Sequence, residues 1–197
     1  MSRTADVRRG TLAATVVVRL AVDGRGRASA RSGVAAFDAL LEAVAAHGHF
    51  DLDVAASGAA PGDAHAVVVG AGAALGEAFA RAVGARDVLR GVGEATVPVA
   101  GALVRAVCDL RGPGLLAYDA APPAWQLVGD YDVALTPEFW QAFVGEARVT
   151  LHLDRLRGEH GRPVTTAAYA AAARALAAAA ERDPRVAAGP GGGEAAR

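Results

Sequence analysis

A chain of 197 residues that is 53% hydrophobic can bury a core, in one domain or in two fused halves. Twenty basic against 21 acidic residues leave a net charge of −1, so no field draws in nucleic acid or an anionic membrane. Every basic residue is arginine, which excludes a Schiff-base lysine, and the single cysteine, Cys108, excludes an internal disulfide and reads as a small buried hydrophobe. The first residues lack an apolar signal core, and no apolar run reaches membrane-spanning length without a charge or glycine. A soluble, cytoplasmic protein with no nucleic-acid or membrane partner is expected.

In chain order, residues 12–21 are β-branched and read as a strand, closed by the turn Asp23-Gly24-Arg25-Gly26. Residues 27–32 alternate like its hairpin partner. A periodic helix over 35–46 ends at His47-Gly48, with the glycine as C-cap. Residues 50–54 alternate as a strand, 65–83 form a long helix, and strands follow at 96–99 and 102–110. Extended pieces at 114–117 and 125–127 lead to a helix over 137–147 with Thr136 as N-cap, a strand at 149–153 and a helix over 163–181.

Two glycine-bearing turns, residues 62–70 and 158–166, each run into a long Ala-rich helix about a hundred residues apart. Helix, strand, glycine loop and long helix recur with that offset, so an internally duplicated β-β-α-β-α half is expected. Such halves pack as an α+β fold, a two-layer sandwich with helices on one face of each sheet. One domain is expected over 1–182, in halves 8–95 and 96–182, with a flexible Gly-rich tail over 183–197.

Local sequences then carry a resemblance. The run Ser32-Gly33-Val34-Ala35-Ala36-Phe37-Asp38-Ala39-Leu40-Leu41, followed by His47-Gly48-His49-Phe50-Asp51-Leu52, resembles the TGxxFxDHML…RHGxFDL stretch of the imidazoleglycerol-phosphate dehydratase family. Val107-Cys108-Asp109-Leu110, Val128-Gly129-Asp130-Tyr131-Asp132, Glu138-Phe139-Trp140 and Thr150-Leu151-His152-Leu153 match it too, in order. The resemblance implies a fold like the second domain of ribosomal protein S5. It also implies removal of water from imidazoleglycerol phosphate in histidine biosynthesis, with two manganese ions held between subunits of a 24-subunit shell. The ions would be bound by a DH pair, two HHxxE motifs and an LH pair, in which His and Glu four apart share a helix face.

This chain departs from that pattern. The DH pair is Asp38-Ala39, the first HHxxE is His65-Ala66 with Val69 for the glutamate, and the second is Arg162-Pro163 with Thr166. Of eight ligand positions, His65 and His152 remain. The family's early glutamate falls at Ala13, its acid pair at Ala100-Gly101, and two basic contacts at Pro113 and Ala170. The arginine of its GIxRYG turn falls at Gly91, beside Arg90.

Each retained polar residue also has a structural reading. His47 would interact with a helix C-terminus, His65 would be a surface residue or a residual ligand, and His152 a packed histidine or a ligand. Asp38 and Asp109 keep family positions, Asp109 as a buried carboxylate in need of partners. Arg162 and Arg90 are candidates to bind a small phosphorylated or other anionic ligand, Arg162 with help from a helix N-terminus. No cofactor is expected, or manganese if His65 and His152 keep an altered site. Three functions stay open: a catalytically silent paralogue acting in binding or assembly, an active dehydratase, and a metal-independent enzyme with changed chemistry. A homo-oligomer is expected in each, a trimer or a larger shell.

Overall fold

The computed structural model describes residues 3–10, 14–57 and 63–187. The first half begins with strands β1 (Thr4–Gly10), β2 (Thr15–Ala21) and β3 (Ala28–Arg31). Helix α1 (Ala35–Gly48), strand β4 (Asp51–Ser57) and helix α2 (Ala64–Val83) complete it. The second half follows with β5 (Val92–Val99), β6 (Ala102–Asp109) and β7 (Leu115–Asp119), then the short pair β8 (Leu127–Val128) and β9 (Tyr131–Asp132). Helix α3 (Leu135–Ala147), strand β10 (Thr150–Arg157) and helix α4 (Gly161–Ala179) follow, with a last turn α5 (Pro184–Ala187).

The two four-stranded sheets share one topology, β1-β2-β4-β3 and β5-β6-β10-β7. In β2 the alternation puts Val16, Val18 and Leu20 into the core and leaves Arg19 outside. Helix α2 buries the stripe Val67, Val68, Ala71, Leu75, Ala78, Phe79 and Ala82 against β1, β2 and α3. By length and composition α2 could cross a membrane, a test that a core helix also passes, and most of its apolar window is buried. Helix α4 is almost wholly buried, packing on β5, β6 and α1. Each half is a two-layer sandwich, and the halves meet helix face to helix face through α2 with α3 and α1 with α4. The α+β sandwich expected from the sequence is the fold.

Glycines set the closest approaches. A side chain at Gly72 or Gly76 would strike the carbonyls of Phe139 and Phe143, so α3 lies directly against the backbone of α2. Behind that seam Phe37, Phe79, Phe139, Trp140, Phe143 and Tyr169 form edge and tilted ring contacts. The Trp140 Nε1 is buried without a hydrogen-bond partner among the described residues.

Several local expectations are corrected. Residues 4–10, given no secondary structure from the sequence, form β1 and pair with β2. Strand β3 is not the hairpin partner of β2: it runs parallel to β4 at the far side. The Asp51 carboxylate accepts from the backbone N–H groups of Arg25 (2.9 Å) and Arg27 (3.1 Å), and this carries the chain past the end of β4. Helix α1 then supplies the long crossover that a parallel pair requires. Gly48 lies inside α1, and His49 at φ 54° is the left-handed residue beyond it. A side chain at Gly48 would strike the Phe50 ring. Thr136 is not an N-cap but a buried residue within α3, its hydroxyl 3.1 Å from the Tyr131 hydroxyl. Asp183, where the flexible tail was to begin, donates its N–H to the Val88 carbonyl at 3.0 Å, and α5 follows it. Ala13, Gly62 and the Gly-rich segment 188–197 lie outside the described residues.

Candidate functional site

Gly72 faces Phe139 and Gly76 faces Phe143, four residues further along both helices, so α2 and α3 run in the same direction. Their first turns therefore lie at the same end. Asp63 caps α2 by accepting from Ala66 N (3.2 Å), and His65 projects from that first turn. Glu138 projects from the first turn of α3, where a carboxylate is favoured by the helix dipole. The His65 Nε2 and the Glu138 Oε2 meet at 2.6 Å, with side chains 62% and 48% exposed. The pair opens onto a cleft of about 710 Å³ floored by Val69, Leu116, Tyr118 and Gln141.

An imidazole hydrogen-bonded to a carboxylate can take up a proton and return it, the carboxylate compensating the charge. Burial pushes the Tyr118 phenol above its ordinary range, and the Tyr131 phenol up to about 12. Tyr131 shares its hydroxyl with Thr136 and Tyr169, at 3.1 Å each. These phenols stay protonated, Tyr131 within the core and Tyr118 at the cleft floor. Burial likewise pushes the Cys108 thiol up to about 12, with the neighbouring Asp109 adding to the rise, so no thiolate nucleophile forms at neutral pH.

The other residues singled out from the sequence are scattered. His152 lies exposed on the open face of the second sheet, between Val107 of β6 and Ala117 of β7. The Asp38 Oδ1 accepts from Ser32 N (2.8 Å) and shapes the turn into α1. Asp109 is half-buried, not the buried carboxylate expected, because it ends β6 and accepts from Arg111 N (2.8 Å) in a turn. Arg90 is paired with Glu181, just past the end of α4, at 3.1 Å. Gly91 takes φ 80°, so that turn is built for glycine and not for the family's arginine. Arg162 is exposed at the start of α4. His47, in the last turn of α1, accepts from Arg174 Nε at 3.3 Å, a contact to the neighbouring helix α4.

Two polar residues escaped the sequence reading. Glu138 stands in the sequence as part of a run similar to the family's, and its only local signal is a carboxylate in a first helical turn. Gln126 accepts from Gly161 N (2.6 Å) and donates to Glu159 O (2.9 Å), fixing the glycine turn before α4. Nothing in local sequence marks that pairing.

The residues at the family's ligand positions do not fit a two-manganese centre. Ala39, Ala66, Val69 and Pro163 carry no donor, Thr166 carries a neutral hydroxyl and Arg162 a cation. His65 already shares Nε2 with Glu138. Among the described residues no three His, Cys, Asp or Glu side chains converge on one point.

The chain is similar to known proteins. The family model for imidazoleglycerol-phosphate dehydratase matches residues 32–176. The imidazoleglycerol-phosphate dehydratase of Thioalkalivibrio sulfidiphilus is 43% identical over 185 residues, 93% of each chain. That of Aromatoleum aromaticum is 43% identical over 186 residues, 94% of each. The crystal structure of the Staphylococcus aureus dehydratase superimposes with a TM-score of 0.80 at 23% identity, covering 91% of this chain and 99% of that one, and shows the shared fold.

The expectation of a catalytically silent paralogue is overturned by these relatives. Proteins between 40% and 44% identical across nearly the whole chain carry the name of the working enzyme. The expectation rested on the joint loss of ligand positions, acid pair and phosphate contacts, a handful of positions, whereas the identity is measured over about 185 aligned residues. By its sequence over more than nine-tenths of its length and by the family model across both halves, this chain belongs to the imidazoleglycerol-phosphate dehydratase family.

Proposed function

We propose that the chain catalyses the loss of water from imidazoleglycerol phosphate, a step of histidine biosynthesis. One observation carries the reading: the similarity to named dehydratases runs through both halves, at 43% identity over 93% of the chain. The geometry supplies a place for the chemistry. Elimination of water removes a proton from one carbon and delivers a proton to the hydroxyl leaving the next. The His65–Glu138 pair at the cleft is the group suited to carry that proton.

The purified chain incubated with imidazoleglycerol phosphate should form the dehydrated phosphate ester, and His65→Gln should lower the rate by about a hundredfold, as loss of a general base does. Product formation no faster than in a protein-free blank would overturn the reading.

Further features belong to the same proposal. The chain arose by duplication of one half, which the matching strand orders support. It works as a homo-oligomer in the cytoplasm, its outward sheet faces available to other copies.

A further inference from the structure

We infer that this chain performs its reaction without a manganese pair at the family's ligand positions. The inference rests on the proposed dehydration for its functional meaning, but its test reads metal directly.

The argument starts from donor atoms. Divalent manganese prefers six ligands from imidazole, carboxylate or water, and a site must supply several of them to hold the ion. Here six of the eight positions offer an aliphatic side chain, proline, a hydroxyl or a guanidinium. The two surviving imidazoles sit on different elements: His65 opens α2, and His152 lies in the middle of β10.

Assembly does not restore the set. Every copy of this chain repeats the same substitutions, so a second copy offers no further donor at those positions. The replaced positions are not core residues, since Ala39 and Arg162 are exposed and Ala66, Val69, Pro163 and Thr166 half-buried. Core packing therefore does not dictate the replacements, and side chains there remain at the surface where a metal would have been met.

Electrostatics points the same way. Arg162 sets a permanent positive charge on a ligand position, and like charges repel a divalent ion approaching within a few ångströms. His65, in turn, has a carboxylate as its neighbour at 2.6 Å. That carboxylate makes the imidazole half of a proton-carrying pair, and one imidazole with one carboxylate falls short of the six ligands manganese takes. Val69, which stands four residues on from His65 where a chelating glutamate would be, gives the cleft an apolar floor instead.

The test is a manganese titration read by the electron paramagnetic resonance signal of the free hexa-aqua ion. The chain is stripped with chelator and desalted, then titrated with and without imidazoleglycerol phosphate. The free signal should grow as it does for His65→Gln, with no equivalents removed. Removal of about one equivalent or more per chain that is lost in His65→Gln would overturn the inference. Glu138→Gln gives a second reading. Without the carboxylate the chain should still remove no manganese, and removal of about one equivalent or more by this variant, at a His65 freed of its partner, would overturn the inference. In the turnover assay, equal rates with and without chelator are expected, and a rate abolished by chelator and restored by manganese would overturn the inference. Absence of turnover under every condition sinks the proposed dehydration alone, because the titration still counts ions.

Discussion

Asp130 caps a helix that begins 95 residues before it: its carboxylate accepts from the backbone N–H of Ala35 at 2.7 Å, and from Ala36 at 2.9 Å. The residue in the N-cap place of α1, Val34, has no side chain that can accept. These hydrogen bonds hold the Asp130 carboxyl below its ordinary range, the bond from Ala36 contributing most. Asp130→Ala should cost about 1 kcal/mol, the usual worth of a side-chain cap, and deprotect the amides of Ala35 and Ala36. Urea unfolding and amide exchange would check both effects.

At the seam between α2 and α3, Gly72→Ala tests the close approach. Alanine improves helix propensity by about 1 kcal/mol, but its Cβ would meet the backbone of Phe139, which cannot swing aside. Overpacking of that kind costs about 1–3 kcal/mol and should win. A lower denaturation midpoint with unchanged slope is the expected result.

Acid sensitivity should trace in part to Asp51. Its side-chain bond with Arg27, then backbone N–H groups of Arg25 and Arg27, hold its carboxyl far below the ordinary value of 3.8. A depressed carboxyl contributes stability that is present above the unfolded pKa and lost as pH falls through the folded one. Asp51→Asn should therefore lower Tm near neutrality and shrink the further fall in Tm between about pH 4 and 2. Thermal melts across that range give the comparison.

His47 titrates in a second window. Burial, then the charges of Arg174 and His49, lower its pKa from the ordinary 6.5. The folded state resists the proton that the unfolded chain accepts, so stability holds above about pH 6.5 and declines as pH falls below it. Protonation also removes the Nδ1 acceptor that Arg174 Nε uses. His47→Gln should flatten Tm between about pH 7 and 5.

Periodicity made most of the fold legible. The stripe of Val68, Ala71, Leu75 and Phe79 announces α2, and Val16, Val18 and Leu20 announce β2. What failed depends on distant partners. The direction of β3 follows from the Asp51 carboxylate, about two dozen residues downstream, and no local pattern encodes it. The 131–136 turn reads as a cap because Thr136 precedes Pro137, yet the Tyr131 hydroxyl draws that threonine inside. His65 was legible as a position, but its partner was not, since Glu138 lies 73 residues away and only the parallel course of α2 and α3 joins them.

Gly72 and Gly76 act as notches, and notches fix register. With Phe139 and Phe143 seated four residues apart against them, sliding one half along the other by a helical turn would set Val68 or Ala80 against the α3 backbone at one of the two seats. The halves are keyed in one alignment, and each leaves its apolar helix face bare when separated from the other. Unfolding should then be all-or-none, and the distance between His65 and Glu138 is set by the same lock that holds the core.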